Sequence, residues 1–299
     1  MKHFFYLVFL QIIICQSFSN FSFTGSKSMG MAGAVVSNIN DSESVFYNPS
    51  GLAHSDDYSV IIGTTMLYDL NFLKHQFLSI SFPNRMAISF QQLGTDSKGM
   101  FNFESSGTSN LSSEQLISFS QGFHLLNDAN STLSIGYNVN ALVFSQAGSA
   151  GPSGDGSDGL PSSKSSTIGI DIGVHSSLRN KISFGAFIKN INNPTIGRGS
   201  SQSHFPRRMD LGITYNPFNG LHTTFAFERV LGESKTSFRF GTEYDVTNNF
   251  TVRSGIQMSP NRFGLGLSYY MNNIELSYAL LTHSILSNSN VVTIKVDFE

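Results

Sequence analysis

Ionisable side chains of both signs recur through the second half of the chain: Lys189, Arg208, Asp210, Glu228, Arg239, Glu243, Arg253, Arg262, Glu275, Lys295 and Asp297. Gathered in one site, such groups could shuttle protons, hold a cation or line a path for ions. Their spacing argues against catalysis, because no nucleophile elbow or phosphate loop precedes a helix. The eight His stand singly, and no two are spaced as metal ligands. Asp155 and Asp158 lie in a Gly/Ser run that has the look of a calcium loop without its terminal acid, so a solvated loop is the better reading. Gly264 and Gly266 share one face of a strand, which suits room inside a wall more than a nucleotide site. The expectation is a protein that is not an enzyme, with no cofactor and no metal.

What the charges share is their side of a two-residue alternation. Leu133, Ile135, Tyr137, Val139, Ala141 and Val143 fall on one face of a strand, with Thr132, Ser134, Gly136, Asn138 and Asn140 on the other. The same rule sets Ile168, Ile170, Ile172 and Val174 against Gly169, Asp171, Gly173 and His175. Strands are expected near 57–68, 75–82, 85–93, 112–124, 131–145, 166–176, 180–190, 207–215, 219–231, 235–245, 248–258, 261–270, 272–281 and 288–298. That is about 14, or 12 if the first two fail, since Val60, Ile61 and Ile62 run together without choosing a face.

Composition says what the two faces meet. Charged residues are 13%, about half the usual share of a soluble domain, yet the hydrophobic fraction is only 40%. Few charges without an apolar excess suits a transmembrane antiparallel β-barrel, all-β, with one face in lipid and the other lined by Ser, Thr, Asn and Gly. A soluble β-sandwich also alternates, but it does not explain the strand count or an apolar face that ends on Phe298. A net charge of -2 gives no reason to expect nucleic acid. Residues 1–19 read as a signal peptide: Lys2 and His3, an apolar run from Phe4 to Cys15, then Ser17 and Ser19. Residues 20–56 form a segment apart, and 57–299 the barrel.

Loop lengths orient it. Short turns near 83–84, 126–129, 177–178, 216–218 and 271–272 alternate with Gly/Ser/Asn-rich stretches at 94–110, 148–165 and 190–205, as periplasmic turns and outer loops do in bacterial barrels. Both termini then lie in the periplasm, and Tyr215, Tyr244, Tyr269 and Phe298 make an inner aromatic girdle. On the lipid face each charged side chain would cost about 2–4 kcal/mol at mid-depth. Arg208, Asp210, Glu228, Arg239, Glu243, Arg253, Arg262 and Glu275 are therefore expected in the lumen, Arg239 and Glu243 near Arg253, bracing it or lining a charged path.

Residues 25–53, GSKSMGMAGAVVSNINDSESVFYNPSGLA, do not alternate. Small residues permit close backbone packing, and Asn48 before Pro49 marks a turn. A luminal plug packed on inward glycines such as Gly241, Gly255 and Gly264 is the expectation. Gly30, Gly33, Asp41, Tyr47, Asn48, Pro49, Gly51, Leu52 and Ala53 resemble the N-terminal signature of FadL-like outer-membrane transport proteins and, more closely, of the PorV/PorQ family. The ending, Leu276 to Ala279 and Leu286 to Phe298, is similar as well. The resemblance implies a FadL-type barrel of 14 strands with the N-terminal segment in the lumen.

It also implies two activities: passage of hydrophobic small molecules across the outer membrane, or service to a type IX-like protein-secretion system by binding exported proteins or the translocon. Its partners on these readings are outer-membrane lipid, the barrel-assembly machinery, and hydrophobic molecules or secreted proteins.

Overall fold

In a computed structural model, residues 23–39, 42–95, 112–148, 151–152, 154, 157–197 and 202–298 are described. The signal-peptide reading, Asp41 and Asp155 lie outside them.

Fourteen antiparallel strands close a barrel. They are β1 (Tyr58–Met66), β2 (Lys74–Phe82), β3 (Met86–Gly94), β4 (Ser112–Asn127), β5 (Ser131–Gln146), β6 (Ser163–Leu178), β7 (Ile182–Lys189), β10 (Arg208–Tyr215), β11 (Leu221–Val230), β12 (Thr236–Thr247), β13 (Phe250–Met258), β14 (Arg262–Met271), β15 (Ile274–Leu281) and β16 (Ser289–Phe298). A short ribbon, β8 (Thr195–Ile196) and β9 (Ser203–His204), stands outside the ring. Each strand of the ring pairs with the ring strands before and after it, β7 with β10 across the ribbon, and Tyr58 of β1 meets Phe298 of β16 to finish the ring. Closure leaves no sheet edge, which a strand in lipid requires because hydrocarbon offers its backbone no partner. The count is 14, not 12.

The alternation sorts as its chemistry demands. On β6, Ile168 and Ile170 are 60% and 37% exposed, while Asp171 and His175, on the alternate face, are 2% and 3% exposed. The girdle residues Tyr215, Tyr244, Tyr269 and Phe298 all face outward. A nine-residue strand such as β13, rising ~3.3 Å per residue and tilted ~40°, crosses about 23 Å of apolar thickness.

The blurred pattern of β1 has a local cause. Ile61 points inward, where the lumen is itself apolar: it packs with Phe77, Met29, Phe23, Ala279 and Val291. Val60 and Ile62 face out beside it, so both neighbours of an inward apolar residue are apolar too.

Wall height is uneven. β4, β5 and β6 each run 16 residues, whereas β7, β10 and β15 run eight. β6 pairs with β7 only from Ile172 to Leu178. Above that point the chain after Lys189 completes the wall as a strap: Ile191 donates to the Ile170 carbonyl, and the Asn192 side chain bonds both Ile170 N and Ile168 O.

Candidate functional site

Inside the ring lie residues 23–39 and 42–55. They form helix α1 (Ser26–Gly30), a run of turns, and two 3-10 turns at Ser42–Phe46 and Pro49–His54. Glu43 caps α1 by accepting from the backbone N–H of Ser26 and Lys27 and from the Ser26 hydroxyl, which answers the unpaired N–H groups of a helix start. Lys27, buried in the lumen, donates to Asn38 at 3.2 Å and pairs with Glu243 at 3.4 Å.

Close approach to the wall explains the small residues of this segment. Gly255 has no room for a Cβ beside Met31 and Ala32, Gly264 none beside Met29 and Gly30, and Gly241 meets Met31 and Ala34. Across the lumen, a Cβ on Gly136 would overlap Pro49 and one on Gly122 would overlap Leu52 and Ala53. Gly30 lies on Gly266, its own missing Cβ 3.1 Å from that Cα; Gly33, at φ +80°, lies under the Arg239 guanidinium. Gly51 faces Ser44.

Asn48 is wholly buried and uses its whole amide. Its oxygen accepts from Ser50 N and Oγ, and its nitrogen donates to Val36 O at 2.7 Å and to Val174 O of β6 at 3.3 Å. One side chain thus ties two stretches of the segment to each other and to the wall. Tyr47 closes an apolar knot with Met31, Val35 and Ile39.

The luminal charges form two groups. In the first, Arg208 pairs with Asp210 at 2.9 Å and Glu228 at 3.4 Å, while Arg239 pairs with Glu228 at 2.6 Å, reaches Asp210 at 4.0 Å and donates to Gly33 O. In the second, Arg253 pairs with Glu243 at 2.5 Å and Glu275 at 3.8 Å. Glu243 therefore meets Arg253 as expected from the sequence, whereas Arg239 sits with Glu228 and Asp210 instead. The reason is register: Arg239 stands opposite Gln257 on β13 and Ala226 on β11, one step from Glu228 on the same face. Arg262 joins neither group and lies over the Phe23 ring at 5.1 Å.

Sequence reasoning missed three features. Asp171 accepts from Asn140 at 2.7 Å, from Asn138 at 3.4 Å and from the Asn190 backbone at 2.8 Å. His54 lies between the rings of His124, 4.7 Å away, and His175, 5.9 Å away. Burial first, then His124 and Arg85, holds the His54 imidazole below its ordinary range. The third is an apolar cluster at the loop end of the lumen: Leu116 and Leu142 of the tall wall pack on Phe205, with Leu93 and Ile196 beside them. The space left there is about 10 Å³, about one water. At the turn end a charged cavity of about 240 Å³ opens between Lys27, Glu43, Glu243, Arg253, Glu275 and Lys295. Only the inward Leu116 and Leu142, apolar where the strand face is otherwise polar, signalled the cluster in the sequence.

No protein-family model matches the sequence, and no curated protein does. Solved structures do. The toluene transporter TbuX of Ralstonia pickettii superposes with a TM-score of 0.58 at 14% identity, covering 94% of this chain and 100% of its own. For the P. putida toluene transporter TodX the values are 0.59, 12%, 93% and 99%. For a Pseudomonas aeruginosa FadL homologue they are 0.53, 12%, 92% and 98%. At this identity the likeness is one of fold: the chain has the barrel architecture of FadL-like outer-membrane transporters.

Proposed function

We propose that this barrel admits small hydrophobic molecules from outside the cell, the N-terminal luminal segment plugging the axial route. The observation that carries it is the apolar cluster of Leu116, Leu142 and Phe205, which lies where the strap, not a strand, completes the wall beside β6. Below it the lumen is filled by ion pairs and by the N-terminal segment, so the axis is a poor path for an apolar solute. A strap held by Asn192 and Ile191 needs few bonds broken to part from β6, and parting it connects the cluster sideways to hydrocarbon. The solved barrels of like fold include toluene transporters, in keeping with such cargo. Export by a signal peptide, residence in the outer membrane and insertion by the barrel-assembly machinery belong to the same reading.

Accumulation of radiolabelled toluene by cells producing the protein tests it. Phe205→Asp combined with Leu142→Asp should cut accumulation at least about fivefold, since a buried carboxylate costs more than 1 kcal/mol against an apolar ligand. Uptake equal to that of the wild type would reject the conduit.

A second reading, an accessory of a type IX-like secretion system as in PorV/PorQ proteins, is favoured by the filled, ion-braced lumen. Purification from native membrane followed by mass spectrometry separates the two: a stoichiometric exported protein or translocon subunit supports the accessory, bound lipid or hydrocarbon alone the conduit.

A further inference from the structure

A barrel wall is apolar wherever hydrocarbon touches it, so an outward polar row marks where hydrocarbon ends. On β1–β4 the border is sharp. Ile62, Leu78, Phe90 and Ile117 stand opposite one another in cross-strand register on the outward face. Two residues nearer the loop end stand Thr64, Gln76, Gln92 and Gln115, again in register. Two residues further, a row runs from Met66 through Lys74, Gly94, Ser113 and Ser145 to Lys164.

Depth decides what these rows touch. Outward rows are about 6–7 Å apart along a strand, and about 5 Å along the membrane normal after tilt. Headgroups add roughly 5–8 Å to each side of the hydrocarbon. The glutamine row therefore lies within the headgroup layer, and the lysine row at its outer boundary.

The tall wall alone does not explain them, because Gln76 and Gln92 belong to β2 and β3, strands of nine residues. Nor do all walls share them. On the far side Thr223, Thr242 and Ser254 stand in register lower on the outward face, but the rows nearest the loop end are apolar, with Phe238 beside Met258, the last residue of β13, and Ile256 beside Phe263.

Chemistry narrows the partner. An amide donates and accepts at once, as a sugar hydroxyl does, and an ammonium is a point charge suited to phosphate. Glu114, next to Gln115 in sequence, is buried on the luminal face and does not oppose an anion on the outer one. We propose that this strip binds the headgroup of a phosphorylated sugar lipid in the leaflet at the loop ends, Gln92 and Gln115 meeting hydroxyls and Lys74 and Lys164 meeting phosphates. Gln76, only 7% exposed, supports the row from beneath its neighbours. The proposal rests on the outer-membrane reading with loops outward.

The test uses the full chain produced in a Gram-negative host and extracted in mild detergent. Diphosphorylated glucosamine lipid and phosphatidylglycerol are counted per barrel by mass spectrometry. The wild type should retain the glycolipid over phosphatidylglycerol. Lys74→Ala should lower glycolipid retention about fivefold, the worth of one lysine at an anionic surface. Gln92→Leu with Gln115→Leu should lower it as well, and Thr242→Leu on the far wall should leave it unchanged. Retention unaffected by Lys74→Ala and by the glutamine pair would overturn the site, and so would phosphatidylglycerol retained equally well. Failure of the membrane reading shows separately, as absence of a heat-modifiable band from the outer-membrane fraction.

Discussion

Glycine admits the N-terminal segment on both sides of the lumen, at Gly241, Gly255 and Gly264 as at Gly122 and Gly136, but only one side adds charge. Against β10–β15 the N-terminal segment meets charge: Lys27 reaches Glu243, Arg239 reaches Gly33, and two groups of ion pairs knit five strands together. Against β4–β6 it meets glycine and amide: Gly122 and Gly136 admit the backbone of residues 49–53, Gly173 admits the Asn48 side chain, and Asn48 supplies the polar ties. Buried ion pairs add little net stability, but they are costly to break. Glycine contacts depend on shape and fail by a single added carbon. The charged side should therefore govern whether the barrel stands, and the glycine side whether the segment stays inside it.

The largest expected effect attacks the charged side. Arg239→Met leaves Glu228 and Asp210 facing each other in the lumen with only Arg208 between them, a loss of about 3–5 kcal/mol by analogy with broken buried pairs. Urea unfolding of the folded barrel, followed by gel mobility, should show the drop. The double change Arg239→Met with Glu228→Leu should restore much of it, and equal loss in both would place the stability elsewhere.

Gly136→Val sharpens the other side. The added carbons collide with Pro49 backbone, and overpacking of this kind costs about 1–3 kcal/mol. Because the strand itself tolerates Val, the segment should yield and the wall survive. The expected result is an assembled, heat-modifiable barrel with raised permeability to small polar solutes, measured by liposome swelling. Gly255→Val, made opposite Met31, should do less, since Lys27 and Arg239 still hold that flank. Larger leakage from Gly255→Val would reverse the comparison.

Strands were legible because one residue in two must face lipid: the pattern from Leu133 to Val143 needs no partner to be read. The strap and its ribbon at Thr195–Ile196 were not, since two-residue strands carry no period. Pairings such as Asp171 with Asn140, or Arg239 with Glu228, depend on which residues stand opposite across strands, and register is a property of closure rather than of any one segment. In the sequence the histidines stand singly because His54, His124 and His175 lie 70 and 51 residues apart, and only the luminal segment brings the first against the other two.

That histidine group also gives the smallest expected effect, on the glycine side alone. Burial lowers the pKa of the His54 imidazole from its ordinary value, with His124 and Arg85 adding to the shift and Asp56 opposing it. A histidine whose folded pKa lies below its unfolded value of ~6.5 binds fewer protons when folded. Its contribution is thus intact above that value and is lost as pH falls through it toward the folded pKa. Mild acid should therefore loosen residues 49–54 without unfolding the wall. Amide exchange at Leu52 and Ala53 should quicken between pH 7 and 5, after correction for the intrinsic rate, while exchange at Met29 and Gly30 on the charged side holds steady. His54→Phe keeps a ring beside His124 and His175 and removes one of the three imidazoles, so its exchange at Leu52 should quicken less than the wild type's over the same range. Quickening at Met29 equal to that at Leu52 would mean that the segment moves as one body, and that charge and glycine do not divide the labour.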